Sequence, residues 1–132
     1  MAKAKADLKY FNPNPKNLDV ADCVVRALCK ATGESWVDMY TQLFELGLEV
    51  CDMPNGNTTW KEYVARHESF IERKLQIRKG VKRPTVRTFC KAHPKGTYLL
   101  SLANHLVTVQ DGCYYDIWDC GEKSVYKYWE VE

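Results

Sequence analysis

The order of apolar and polar positions divides the chain into a helical part and a strand part. Val24, Ala27, Leu28 and Ala31 recur at i, i+3, i+4 and i+7, the spacing of one helix face. This predicts a short helix opening at Asp22-Cys23, with Asp22 as N-cap, and stopping at Thr32-Gly33. Ser35 and Asp38 resemble a capping box, and Trp36, Met39, Tyr40, Leu43 and Phe44 mark a second amphipathic helix ending near Gly47. Thr58 or Thr59 can cap a third, with Trp60, Tyr63, Val64 and His67 on one face. A short fourth is expected over 84–90, stopped by His93-Pro94-Lys95-Gly96. His67 reads as a core or boundary histidine, and His93 as solvent-exposed.

Residues 70–77 are strand-like, and the last third is β, with strands expected over 97–102, 105–110, 113–118 and 125–131. Asp111-Gly112 is a strong two-residue hairpin signal. Helices come first and an antiparallel sheet second, which argues an α+β fold with N-terminal helices packed on a C-terminal antiparallel sheet. Two Asn-Pro steps make residues 10–17 an extended approach loop. The Ala/Lys-rich residues 1–9 are expected to fray as a flexible tail. No linker or repeat interrupts the pattern, so residues 1–132 are expected to form a single domain.

Composition narrows the function classes. Hydrophobic residues at 45% and charged residues at 27% are ordinary globular values. A net charge of +2 argues against a polyanion partner, and the basic runs at 3–5 and 78–83 read as solvated surface, so nucleic acid is not expected. No apolar run has the length of a membrane helix, and the N-terminus lacks the apolar core of a signal peptide. A cytoplasmic protein away from the membrane is therefore expected. The six cysteines include no C-x-x-C pair and no Cys/His cluster with zinc spacing. Free thiols are expected in a reducing compartment, and no metal or cofactor is implied.

Candidate chemistry centres on Cys23. In the first turn of a helix, unpaired N–H groups and the helix dipole favour a thiolate, the nucleophilic form. Asp22 opposes this, because a neighbouring carboxylate raises a thiol pKa. A cationic partner is needed, and the hairpin offers one. If Asp111-Gly112 is the turn, Gln110 faces Cys113, Val109 faces Tyr114, Val107 faces Asp116 and His105 faces Trp118. Asp116 is then a diagonal neighbour of His105, while Asp119 falls opposite Asn104 on the other face. A one-residue bulge would select Asp119 instead. A buried structural histidine satisfied by Asp116 also accounts for this pair, but a paired His and Asp with a helix-start Cys fits nucleophilic catalysis. Arg26, at i+4 from Asp22, reads as a helix-surface ion pair. Trp118 either screens the His–Asp bond from water or packs on the hairpin.

Three stretches together resemble the papain-like cysteine peptidase superfamily. They are Asn17…Asp22-Cys23-Val24-Val25-Arg26-Ala27-Leu28, then Asn104-His105-Leu106-Val107-Thr108-Val109, then Asp111-Gly112-Cys113-Tyr114-Tyr115-Asp116-Ile117-Trp118-Asp119. The order Cys, His, Asp/Asn matches, as does the layout of nucleophile at a helix start, histidine on a hairpin strand and acid on the next. The resemblance implies a papain-like fold and hydrolysis of a peptide, isopeptide or related amide through a thioester. It implies Cys23 as nucleophile, His105 as general base and then acid, and Asp116 as the orienting group. Asn17 falls where such enzymes commonly keep an oxyanion-hole Gln. It is equally a turn residue after Pro15. Asn12 and, more weakly, Asp19 are alternatives on the oxyanion side. The expected partner is a peptide or protein substrate. A non-catalytic module holding a peptide in the same cleft, or an acyltransferase using the same Cys-His pair, are the alternatives.

Overall fold

The α1 and α2 boundaries follow from local chemistry. In the computed structural model, which describes residues 7–132, the elements are β1 (Leu8–Tyr10), α1 (Cys23–Thr32), α2 (Trp36–Val50), α3 (Asn57–Arg66), β2 (Phe70–Arg73), α4 (Val86–Ala92), β3 (Thr97–Leu102), β4 (His105–Gln110), β5 (Cys113–Asp116) and β6 (Lys127–Val131). The class is α+β. Gly33 ends α1 in the left-handed region at φ 82°, where it has no Cβ to strain. The Ser35 hydroxyl accepts the Asp38 N–H at 3.1 Å and starts α2. The expected Thr58 or Thr59 cap of α3 is displaced. Asp52 accepts the Thr58 N–H at 3.1 Å, while Thr59 is buried and donates to the Met53 carbonyl at 2.7 Å.

The sheet has six strands in the order β1-β5-β4-β3-β6-β2. It is mixed, not antiparallel throughout: β1 runs parallel to β5, pairing Leu8 with Tyr114, Lys9 with Tyr115 and Tyr10 with Asp116. Residues 8 and 9 are therefore strand and not frayed tail. An open β5 edge would leave backbone groups unpaired, and β1 satisfies them. Residues 1–6 of the expected tail lie outside the described residues. Shorter strands also replace three predicted ones. β5 stops at Asp116 because the chain then turns across the start of α4, where Val86 N–H donates to the Lys123 carbonyl at 3.0 Å and Arg87 N–H to the Gly121 carbonyl at 2.9 Å. The same crossing holds Val125, whose N–H donates to the Pro84 carbonyl at 2.9 Å, so β6 starts only at Lys127; β2 pairs with β6 as far as Arg73 opposite Tyr128 and ends there.

The central strands are buried on both faces. Leu99 and Leu106 pack with α1, α2 and α3 through Val25, Leu28, Met39, Leu43 and Trp60. Leu100, Val107 and Val109 pack on the opposite side against Val86 and Phe89 of α4 and Tyr114. A buried Thr108 hydroxyl donates to the Ala27 carbonyl at 2.6 Å and locks α1 to β4. Asp111 and Gly112 have φ of 50° and 79°, the two positive values of a type I′ turn. The register follows: Gln110 pairs with Cys113, Val109 with Tyr114 and Thr108 with Tyr115. His105 and Asp116 consequently lie at the same end of the hairpin. The other two histidines stack on aromatic rings, His67 on Tyr63 and His93 on Phe89, each with centroids 3.9 Å apart. His67 is exposed beyond the end of α3, and His93 is half-buried where exposure was expected.

Candidate active site

Cys23 is the first residue of α1, and its backbone N–H has no intrahelical acceptor. The hydrogen bond between Thr108 and Ala27 holds α1 over β4, which brings the helix start to the strand end where His105 stands. His105 Nε2 donates to Asp116 Oδ2 at 2.6 Å. With Nε2 on Asp116, Nδ1 is the ring nitrogen left for the hydrogen bond between the imidazole and the Cys23 thiol. Burial pushes the Cys23 thiol up, but hydrogen bonds from His105 and the Leu106 N–H, with the nearby charges of His105 and Arg26, outweigh it and hold the thiol below its ordinary value. Burial alone would lower the His105 pKa. The Asp116 and Cys23 anions override that and raise it to about 9. Each group thus stabilises the charged form of the other, which shifts the pair toward thiolate and imidazolium.

Asp116 is 1% exposed and fully engaged. Oδ2 accepts from His105 and, at 3.3 Å, from the Cys120 thiol; Oδ1 accepts the Ile117 N–H at 2.8 Å and Arg26 Nη2 at 3.0 Å. Burial pushes this carboxyl up, and the His105 and Arg26 cations pull it below its usual range. Asp119 lies elsewhere, accepting from the Tyr114 hydroxyl at 2.5 Å and from Arg87 Nη2 at 3.4 Å. The hairpin places Asp116, not Asp119, against His105.

Arg26 is not the helix-surface ion pair that its i+4 spacing suggests. Its pairing with Asp22 is present at 2.5 Å, but both side chains are buried, at 4% and 5% exposure. The guanidinium points inward because it spans two carboxylates, Asp22 and Asp116. Asp22 stands at the N-cap position, yet its side chain caps no N–H. Its second oxygen accepts Trp36 Nε1 at 2.9 Å, and the charge-assisted bond to Arg26 outcompetes a helix N–H. A buried chain of contacts thus runs Trp36–Asp22–Arg26–Asp116–His105 to the thiol. The i+4 spacing signalled the first ion pair. No local signal revealed the second, which needs the sheet.

The thiol opens into a cleft of about 930 Å³. Trp118 forms one wall, with its ring centroid 4.8 Å from that of His105. Asn17 is not among the cleft residues. It is exposed at φ 55° and its N–H donates to the Asn14 carbonyl at 2.8 Å, so it serves the turn after Pro15. Asn12 is occupied too, donating to the Leu18 carbonyl at 3.1 Å. Asp19 does line the cleft. So do Asn55 and Asn57. Asn55 Nδ2 donates to the Ala21 carbonyl at 3.3 Å, and Asn57 Oδ1 accepts Trp60 Nε1 at 3.1 Å.

His105, Asp116 and Cys120 have ligand-type atoms within 4.8 Å of one another. The set does not suit an ion. Both Asp116 oxygens already accept hydrogen bonds, Arg26 compensates its charge, and burial beside Asp116 pushes the Cys120 thiol far above the range in which it would ionise. Among the described residues, no helix is long and apolar enough to cross a membrane. No family model matches the chain, and comparisons with curated proteins and with solved structures likewise give no match.

Proposed function

We propose that the protein is a papain-like thiol hydrolase that cleaves a peptide, isopeptide or related amide bond. The single observation that supports this most is the 2.6 Å bond from His105 Nε2 to the buried Asp116, beside a Cys23 thiol held below its ordinary pKa. A purely structural histidine needs one satisfied nitrogen. Here the second nitrogen meets a thiol at a helix start, and both open to a cleft.

In this reading the Cys23 thiolate attacks the substrate carbonyl carbon, and the carbonyl π electrons move to oxygen. The Cys23 N–H at the helix start stabilises that oxyanion; a lost donor of this kind costs about 10²–10³ in rate. The His105 imidazolium gives its Nδ1 proton to the leaving amine as the C–N bond breaks, leaving a thioester. Neutral His105 then takes a proton from water, hydroxide oxygen attacks the thioester, and the acid leaves as the thiolate reforms. Asp116 keeps the imidazole oriented and stabilises its cationic form. A reducing compartment such as the cytoplasm would keep the thiol available.

The test is iodoacetamide alkylation across pH with the labelled cysteine mapped by mass spectrometry. Selective labelling of Cys23 with an apparent pKa well below that of a free thiol, lost in His105→Ala, is expected. A Cys23 that reacts no faster than exposed Cys51, with His105→Ala silent, would refute the reading.

A further inference from the structure

Helix α2 is apolar on two faces. Met39, Leu43 and Gly47 face the core, as an amphipathic helix requires. Val37, Tyr40, Phe44 and Leu48 lie on the adjoining outer face, roughly 100° around the helix axis, and are 55%, 40%, 47% and 68% exposed. Their spacing of three, four and four residues makes a second apolar stripe along the whole helix. The stripe is ordered by its own stacking: Trp36, Tyr40 and Phe44 stack in sequence, with centroids 5.1 and 6.5 Å apart. At its C-terminal end Gly47, Leu48, Cys51, Asp52 and Met53 form a shallow concavity of about 460 Å³, and Met53 is itself 67% exposed. Single exposed apolar residues are normal, but a contiguous stripe of this kind marks an interaction surface.

The charge around the stripe identifies what fits it. Residues 31–60 contain Glu34, Asp38, Glu45, Glu49 and Asp52 and no Lys or Arg, in a chain whose net charge is +2. Asp38, Glu45 and Glu49 project along one flank of α2. Glu49 is answered by Arg66, and the others leave the flank acidic. The C-terminal dipole of α2 adds negative potential at the concavity. A second copy of this chain would bring an acidic flank against an identical one in a two-fold contact. Nucleic acid and anionic lipid are repelled for the same reason.

We infer that the outer face of α2 docks a basic amphipathic helix of a partner protein. The partner's apolar residues cover Val37, Tyr40, Phe44 and Leu48, while its Lys or Arg residues meet the acidic flank. The concavity takes the aliphatic stem of one such side chain, with its cation at Asp52 and the terminal carbonyls of α2. This surface is independent of the thiol chemistry.

The test uses the full chain and two 18-residue helical peptides, one of Leu and Lys and one of Leu and Glu with the same apolar face. Binding is followed by amide chemical shifts and by fluorescence anisotropy. The Leu/Lys peptide is expected to bind, to shift amides of 37–53, and to weaken about tenfold or more between 50 and 300 mM salt. Phe44→Glu and Leu48→Glu, both at exposed sites, are each expected to weaken it about tenfold while leaving the circular dichroism spectrum unchanged. Glu45→Lys is expected to shift preference toward the Leu/Glu peptide. Equal binding of both peptides, shifts confined to the Cys23 cleft, or no binding at 1 mM peptide overturns the inference. So does a dimer in sedimentation that Phe44→Glu dissolves, which assigns the face to a second copy. Stronger binding to vesicles of phosphatidylserine than of phosphatidylcholine assigns it to lipid and overturns it equally.

Discussion

Arg26 on α1 reaches Asp116 on β5, with 3.0 Å between Nη2 and Oδ1, and joins the helix that begins at Cys23 to the hairpin that carries His105. The contact is buried on both sides, at 4% and 1% exposure. It fixes the carboxylate from the face opposite His105, so Asp116 has no rotational freedom to turn away from the imidazole.

Arg26→Ala should destabilise the fold by about 3–5 kcal/mol, because Asp22 and Asp116 would both remain buried with their shared cation gone. Arg26→Lys should recover only part of that loss, since one ammonium cannot span two carboxylates as a planar guanidinium does. Urea unfolding of the two variants measures both. A loss under 1 kcal/mol for Arg26→Ala would mean that water enters the pair.

Asp116→Asn should lower the His105 pKa from about 9 toward 6.5, because the anion that stabilises the imidazolium is removed while burial remains. Imidazole proton shifts followed by NMR across pH give the value directly. Cys23 alkylation at pH 7 should slow in the same variant, since a neutral imidazole no longer holds the thiolate.

Stability should depend on pH with a definite sign. The folded pKa of His105 is raised to about 9 from an ordinary 6.5. Its contribution is therefore complete below pH 6.5 and disappears as pH rises through 9. The difference in unfolding free energy between the parent and His105→Gln should be largest near pH 6 and should shrink toward pH 9. A difference that grows with pH would mean that His105 is neutral in the folded state.

Asn17→Gly should be close to neutral. Its backbone lies at φ 55°, where glycine carries no Cβ strain, and its side chain is outside the cleft. Stopped-flow acylation of Cys23 by p-nitrophenyl acetate should change less than about twofold, whereas an oxyanion donor would cost at least about a hundredfold. Asn55→Ala and Asn57→Ala, tested alongside, report whether the cleft amides take that part.

The sequence exposes what is local. Gly33 and Ser35 bound their helices through backbone chemistry, and Asp111-Gly112 sets a register that reaches from Gln110–Cys113 to the relation of His105 and Asp116. What requires distant elements stays hidden. Arg26 looks like an exposed i+4 partner until β5 supplies a second carboxylate. Leu8 and Lys9 look like tail because their strand partners stand more than a hundred residues away. The resemblance expects an oxyanion donor at Asn17, but its left-handed backbone serves the turn after Pro15 and it does not line the cleft.

The pairing of β1 with β5 also determines where the chain can be cut or fused. Tyr10 pairs with Asp116, and the Phe11 N–H donates to the Asp116 carbonyl at 3.1 Å. The segment that ends at Cys23 thus begins clasped to the backbone of the residue that orients His105. Trimming the chain to Phe11 would open the β5 edge and loosen both ends of the candidate site at once. A protease or fusion partner acting near Leu8 would therefore change thiol reactivity without touching the cleft.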